Sequence, residues 1–476
     1  MHFSHRAAAL LLVAAGWFHN SAAAQVLPEP VAQAFARAGI PRQAIGVMVQ
    51  EVSSASSASA APPMVELNGD LSFSPASLMK LVTTDAALEL LGPTYTWQTQ
   101  AFASGMQSGD VLHGDLIIRG SGDPKLVVEN FWLFLRQIRA RGIREIRGNL
   151  VLDRSHFQVA EIDPAAFDGD PQRPYNALPD ALLLNFRTLS FRFLPDEAAG
   201  MVRVAIEPPV DGYPVATPQL GNGACTDWRA MLRARQIANG VSFDGSYPVS
   251  CGERNWSMHA WQMTADQYFG AVFRRLWREM GGELKGEVQA GGLPADARLL
   301  AEWRSPALSE LVREINKYSN NVMARQLLLT IGAQAYGPPG DVQRGGDAVR
   351  AWLAGKGIHA PELVLDNGSG LSRSERLAPR TLARLLVAAF QSHTMAEFMS
   401  SMPLVGLDGT MRNRLRAVPG TAHIKTGALE GVRGIAGYVL AASGRRYAIV
   451  SMVNHANARA AHSAHDALLQ WIVEKG

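Results

Sequence analysis

Ser74-Pro75-Ala76-Ser77-Leu78-Met79-Lys80-Leu81-Val82-Thr83-Thr84-Asp85-Ala86-Ala87-Leu88-Glu89-Leu90-Leu91-Gly92-Pro93 reads as one helix complete with its start and its stop. Ser74 can cap it, Pro75 suits the first helical position, and Gly92-Pro93 ends it. Leu78, Leu81, Val82, Leu88 and Leu91 put apolar side chains on most of its faces, the pattern of a helix buried inside a domain. Ser77 and Lys80, three apart, share one face with Cβ atoms about 5–6 Å apart. A serine hydroxyl becomes a nucleophile when a base takes its proton, and a lysine serves as that base once burial or a second cation lowers its pKa. Ser77 also falls in the first turn, where free backbone N–H groups and the helix dipole favour a developing oxyanion. With seven lysines in the chain, roughly half a Ser-x-x-Lys is expected by chance, so the pair needs support from elsewhere.

Two later stretches give that support. Ser319-Asn320-Asn321 interrupts an amphipathic pattern over 306–331, where Ser and Asn favour a break or a cap. The same residues can supply a hydroxyl relay at Ser319 and a substrate-binding amide at Asn321. Lys425-Thr426-Gly427 ends a strand pattern over 421–427, where glycine lets a substrate backbone approach and Lys425 and Thr426 face a carboxylate. Such a tripeptide arises by chance about one time in fifty in a chain of this composition. Each of the three motifs occurs once, in this order, at a helix start, a helix break and a strand edge.

Outward from these motifs, strand patterns at 44–52 and 64–71 flank a small-residue turn at 53–63. From about 96 to 262 short β-like runs (114–119, 148–152, 201–206) alternate with Gly, Pro and Asp turns. Helical patterns return at 264–280, 306–331, 346–356 and 379–391. Strands at 421–427, 434–441 and 447–453 follow, then a helix over 459–474. Tight turns between successive strands imply an antiparallel sheet. The fold class is therefore α+β: residues 25–95 and 262–476 form one domain of antiparallel sheet flanked by helices, and 96–261 a β-rich insertion of one or two small domains.

The 476 residues are 47% hydrophobic and 18% charged, enough for a sizeable core. A formal charge of +3 and the absence of basic blocks exclude a nucleic-acid binder. His2, His5 and Arg6, the apolar run 7–18 and Ala22-Ala23-Ala24 read as a signal peptide cleaved after Ala24. The run is too short to span about 30 Å of hydrocarbon at roughly 1.5 Å per residue. Export to a periplasm without a membrane span follows. In an exported chain Cys225 and Cys251 read as a disulfide, and their spacing fits no metal pattern.

The ordered Ser-x-x-Lys, Ser-x-Asn and Lys-Thr-Gly set resembles serine β-lactamases and penicillin-binding proteins. The gaps narrow the resemblance: 242 positions from Ser77 to Ser319, then 106 to Lys425. With the two insertion cysteines and Asp366-Asn367-Gly368-Ser369-Gly370-Leu371-Ser372-Arg373, the chain resembles the low-molecular-mass class C penicillin-binding proteins. These are D-alanyl-D-alanine carboxypeptidases and endopeptidases of the peptidase S13 type. Gly114-Asp115-Leu116, Gly120-Ser121-Gly122-Asp123-Pro124 and Asp408-Gly409-Thr410 extend the likeness over the mature chain.

The resemblance implies that Ser77 attacks the carbonyl between two D-alanines, or between D-alanine and diaminopimelate in a cross-link, as Lys80 takes its proton. Ser319 would pass that proton to the leaving amine. The N–H groups of Ser77 and Ala428 would hold the oxyanion, and Asn321, Lys425, Thr426 and Gly427 the substrate. The partners implied are peptidoglycan stem peptides and cross-links, with β-lactam antibiotics as inhibitors. No metal and no cofactor are implied. Asp170, ahead of Tyr175-Asn176-Ala177-Leu178-Pro179, matches the acidic residue that holds the diaminopimelate amino group in relatives, with Asp168 its rival.

One position departs from the pattern. Relatives carry Ser or Thr after Lys-Thr-Gly, and here Ala428 offers no hydroxyl to the substrate carboxylate. Weak carboxypeptidase relative to endopeptidase activity is the expectation that follows. A β-lactamase would have a shorter first gap and no insertion, and an inactive peptidoglycan scaffold would lack Ser77 or Lys80. His462 and His465, three apart without a Glu-rich partner motif, read as surface histidines rather than metal ligands.

Overall fold

The computed structural model describes residues 27–52, 62–238 and 240–476. The signal segment, its cleavage site and most of the turn at 53–63 lie outside these residues. Among the described residues no helix is long and apolar enough to cross a membrane.

Five antiparallel strands join the two ends of the chain. Ile45–Glu51 lies between Val65–Leu67 and Arg446–Asn454, and the sheet continues through Val432–Leu440 to the edge strand Ala422–Leu429. The inner strands carry buried residues on both faces because both faces are covered. On one side, Glu29–Arg37 and His462–Lys475 enclose a core with Phe35, Ile45, Ile424, Ile449 and Leu468. On the other, Met79–Leu90 runs through a core shared with Leu308–Tyr318, Asn321–Tyr336, Val342–Gly355 and Pro379–Phe390.

Met79–Leu90 is buried from Met79 to Leu88, as an apolar cylinder must be. Its start differs from the sequence reading. Ser74 caps nothing: its N–H donates to Asn454 Oδ1 at 2.7 Å and its carbonyl accepts from Asn454 Nδ2 at 3.1 Å. Ala76 then takes a left-handed φ of 45°, Ala76–Leu78 forms a single 3₁₀ turn, and the α-helix begins at Met79. Backbone pinned to the last strand has displaced the expected cap. The break at Ser319 is where the sequence places it. Leu308–Tyr318 ends on Ser319 at φ 57°, and the Asn320 side chain caps Asn321–Tyr336 by accepting the Met323 N–H at 3.1 Å.

The insertion is longer and less purely β than its sequence suggests. Gln98–Ala103, Leu116–Gly120, Leu150–Asp153, Val288–Ala290 and Arg298–Arg304 form one sheet of mixed direction. Chain therefore returns to the first domain after Arg304, not at 262. Ala265–Glu279 packs into the insertion core through Tyr268, Phe269, Val272, Phe273, Leu276 and Trp277. Its amphipathic pattern shows that it is a helix but not which core it faces. Val128–Arg139 is a second helix there, where only strands were read. Thr188–Asp196 with its partners Met201–Glu207 and Arg254–His259 makes a smaller sheet. A disulfide joins Cys225 to Cys251.

Candidate active site

Three segments far apart in sequence meet where Met79–Leu90 reaches the edge strand. The 3₁₀ turn presents a half-buried Ser77, and one turn on Lys80 is wholly buried. Lys80 Nζ donates to Ser77 Oγ at 3.0 Å, to Asn321 Oδ1 and to the Ser369 carbonyl. Three acceptors match the three hydrogens of an ammonium. As the neutral amine Lys80 keeps two donors, and its lone pair can turn to the Ser77 hydroxyl. Burial, then the charge of Lys425, push the Lys80 amine well below its ordinary value, while Glu375 opposes them. Because Lys80 is the donor, Asn321 must face it with its oxygen, which leaves the Asn321 NH₂ for other partners.

Ser319 and the edge strand form the opposite wall. Lys425, buried, donates to Ser319 Oγ at 2.9 Å and to the Thr426 carbonyl at 2.7 Å. Burial brings its pKa down to about 7. Among the described residues Ala422–Leu429 has a neighbour strand on one side only, and Pro403 and Val405 cover its outer edge at Ala422 and Ile424. Ala422 and Ile424 thus turn their backbone groups outward, and by the two-residue period so do Thr426 and Ala428. The Ala428 N–H points away from the sheet. A Cβ on Gly427 would lie 2.8 Å from the Pro75 carbonyl, so glycine lets the strand close on the nucleophile turn.

Several contributors escaped the motif reading. Gly370, at φ 82°, packs so closely on the turn that a Cβ there would sit 1.9 Å from the Ala76 carbonyl. Glu375 lies buried under the same loop, its Oε1 accepting the N–H groups of Asp366, Asn367 and Gly368 at 3.3, 3.0 and 2.8 Å. It fixes the loop whose Ser369 carbonyl faces Lys80. A lone Glu carries no motif, and only its place after a Gly/Ser/Asn-rich stretch marks it. Lys317 donates to Asp408 at 2.6 Å, clamping the turn that brings Thr410 Oγ1 to within 2.8 Å of Thr426 Oγ1.

Asp170 is not part of this cluster of contacts. Its Oδ2 accepts from Arg173 at 2.7 Å and its Oδ1 from the Gln172 N–H at 3.1 Å. Asp168 is more fully engaged, accepting from Tyr175 Oη at 2.6 Å and Asn176 Nδ2 at 2.9 Å. The same stretch walls a cavity of about 520 Å³ against the other domain, with Phe167 and Asn176 on one side and Arg325, Leu371 and Arg373 on the other. His465 corrects the surface reading: it is buried, edge-on to Phe35. His462 alone is exposed.

Residues 27–475 match the D-Ala-D-Ala carboxypeptidase 3 (S13) family. The chain belongs to that family. It is 32% identical over 391 residues to the D-alanyl-D-alanine carboxypeptidase of Actinomadura sp. (strain R39), covering 77% of this chain and 70% of that one. It is 28% identical over 399 residues to the D-alanyl-D-alanine carboxypeptidase DacB of Haemophilus influenzae, covering 82% of each. The fold matches the crystal structure of penicillin binding protein 4 from Haemophilus influenzae with a TM-score of 0.77, at 23% identity over 93% of this chain and 99% of that one. That protein has also been solved complexed with a β-lactam. This S13 member is accordingly a serine-type D-Ala-D-Ala carboxypeptidase with a penicillin-binding-protein fold and an added domain.

Proposed function

We propose that this enzyme, exported to a periplasm, cleaves D-Ala-D-Ala termini and D-Ala-diaminopimelate cross-links of peptidoglycan through an acyl-enzyme on Ser77. The observation that carries this reading is the buried Lys80 amine 3.0 Å from Ser77 Oγ. Lys80 takes the hydroxyl proton as Ser77 attacks the carbonyl. The outward N–H of Ala428 and the N–H of Ser77 receive the oxyanion, each donor typically worth about 3 kcal/mol. Ser319, held by Lys425, passes a proton to the departing amine, and water releases the acyl group. A β-lactam, the ligand of the Haemophilus relative, would acylate Ser77 in the same way and leave slowly.

Intact-mass analysis after benzylpenicillin, with wild type and Ser77→Ala, tests the acyl-enzyme: a covalent adduct on the wild type alone is expected. Muropeptide digestion by both proteins tests the substrate. An adduct retained in Ser77→Ala, or muropeptides unchanged by the wild type, would overturn the reading.

A further inference from the structure

Ala428 and Arg433 are direct cross-strand partners in the hairpin that joins Ala422–Leu429 to Val432–Leu440. Paired residues project from the same face of a sheet, with Cβ atoms about 4.5–5.5 Å apart. Both border a small hollow of about 140 Å³ at the end of the edge strand, together with Thr410, Arg414, Thr426 and His465.

The charge in this hollow is positive and only partly neutralised. Arg414 is paired with Asp466, whereas none of the ion pairs among the described residues involves Arg433. Arg459 stands close enough to add to the field, and burial together with that field holds the His462 ring below its ordinary pKa. Arg433 Nη1 donates to the Leu429 and Val432 carbonyls, each at 2.8 Å, which braces the guanidinium against the hairpin it grows from. A braced guanidinium loses little freedom on binding an anion. Beside it the paired hydroxyls of Thr410 and Thr426 offer a further donor.

We propose that Arg433 binds the carboxylate beyond the scissile bond, in place of the hydroxyl that Ala428 lacks. This deepens the DD-peptidase reading and rests on it. A charged, multiply donating group substitutes for a neutral hydroxyl, so the Ala428 departure does not weaken the grip on a free D-Ala end. The weak carboxypeptidase activity expected from Ala428 alone is then not expected from the pair.

The test compares two acyl-D-Ala-D-Ala peptides, one ending in a free carboxylate and one in a carboxamide, on wild type, R433A and R433Q. R433Q keeps a donor for the hairpin carbonyls without the charge, and so separates carboxylate binding from bracing. Both variants should lose kcat/KM on the carboxylate peptide by roughly ten- to hundredfold, with the carboxamide peptide unaffected. A428T should restore part of the lost preference in the R433Q background. Equal losses on the two peptides, or no loss on either, would overturn the proposal. Acylation by benzylpenicillin against its methyl ester gives the same comparison if peptide turnover is slow. A wild type that neither cleaves peptide nor acquires an adduct at Ser77 refutes the DD-peptidase reading itself, and is told apart by the unmodified serine.

Discussion

Lys425 Nζ lies 2.9 Å from Ser319 Oγ across 106 positions of sequence. The ammonium can only donate, so the Ser319 hydroxyl accepts from it and keeps its own hydrogen free. That hydrogen is the one the proposed mechanism delivers to the leaving amine.

Ser319→Ala is therefore expected to slow amide cleavage by roughly two to four orders of magnitude. A thioester analogue, whose thiolate departs unprotonated, should suffer much less. Steady-state rates on matched amide and thioester substrates make the comparison, and equal losses would refute the relay.

Burial raises the Glu375 pKa while three backbone N–H groups of residues 366–368 oppose the rise; Glu375→Gln keeps an oxygen for those groups but removes the carboxylate charge that supports the Lys80 ammonium. Removing that charge lowers the Lys80 pKa further, so the acidic limb of the acylation rate should move to lower pH. Glu375→Ala should instead lose activity at every pH, because the Ser369 carbonyl is no longer held. An acidic limb unmoved in Glu375→Gln would leave Glu375 a purely structural brace.

Asp85 is buried on Met79–Leu90, and neither carboxyl oxygen has a hydrogen-bond partner among the described residues. Burial, and then the nearby Glu89, hold its pKa well above the ordinary value. The folded state thus keeps a proton that the unfolded chain releases, and stability falls as pH rises from the ordinary carboxylate range toward the raised value. Asp85→Asn should gain in Tm over the wild type as pH increases, with the difference vanishing in acid. A difference independent of pH would show that the proton is not retained.

His465 and His259 act in the opposite sense. Burial depresses them to about 3 and about 4, and each has a buried Nε2 without a partner among the described residues. Their contribution is present above pH 6.5 and is lost as pH falls toward the depressed values. Each costs about 2 kcal/mol between pH 6.5 and pH 5. His465→Leu should flatten the acid limb of urea unfolding by about that amount, and an unchanged limb would mean the ring is charged in the folded protein.

The candidate site was legible because each motif is short and sits at a local landmark. Ser319-Asn320-Asn321 reads both as a polar helix break and as a candidate site; the structure breaks the helix there and sets Ser319 Oγ beside Lys425. The α+β class followed from patterns that local physics sets. What did not follow was long-range. Nothing near Ser74 announces that Asn454 will claim its backbone, and the amphipathic face of Ala265–Glu279 names no partner. Val128–Arg139 was readable in principle, since Val128, Phe131, Phe134, Leu135 and Ile138 keep helical spacing. Arg433 became visible as a candidate only once strand register set it opposite Ala428.

Ile45–Glu51 draws its hydrogen bonds from Arg446–Asn454, with Ile45 opposite Val453. A ribosome delivers the first of these strands long before the second, and so does an export channel. That pairing must wait for residues 446–454, the non-local closure that slows folding most. A chain truncated after Gly427 would carry every motif and still lack Val432–Leu440 and Arg446–Asn454, the strands on which Ala422–Leu429 is hung. Motifs alone would then make no site, because strand pairing at the far end of the chain is what brings them together.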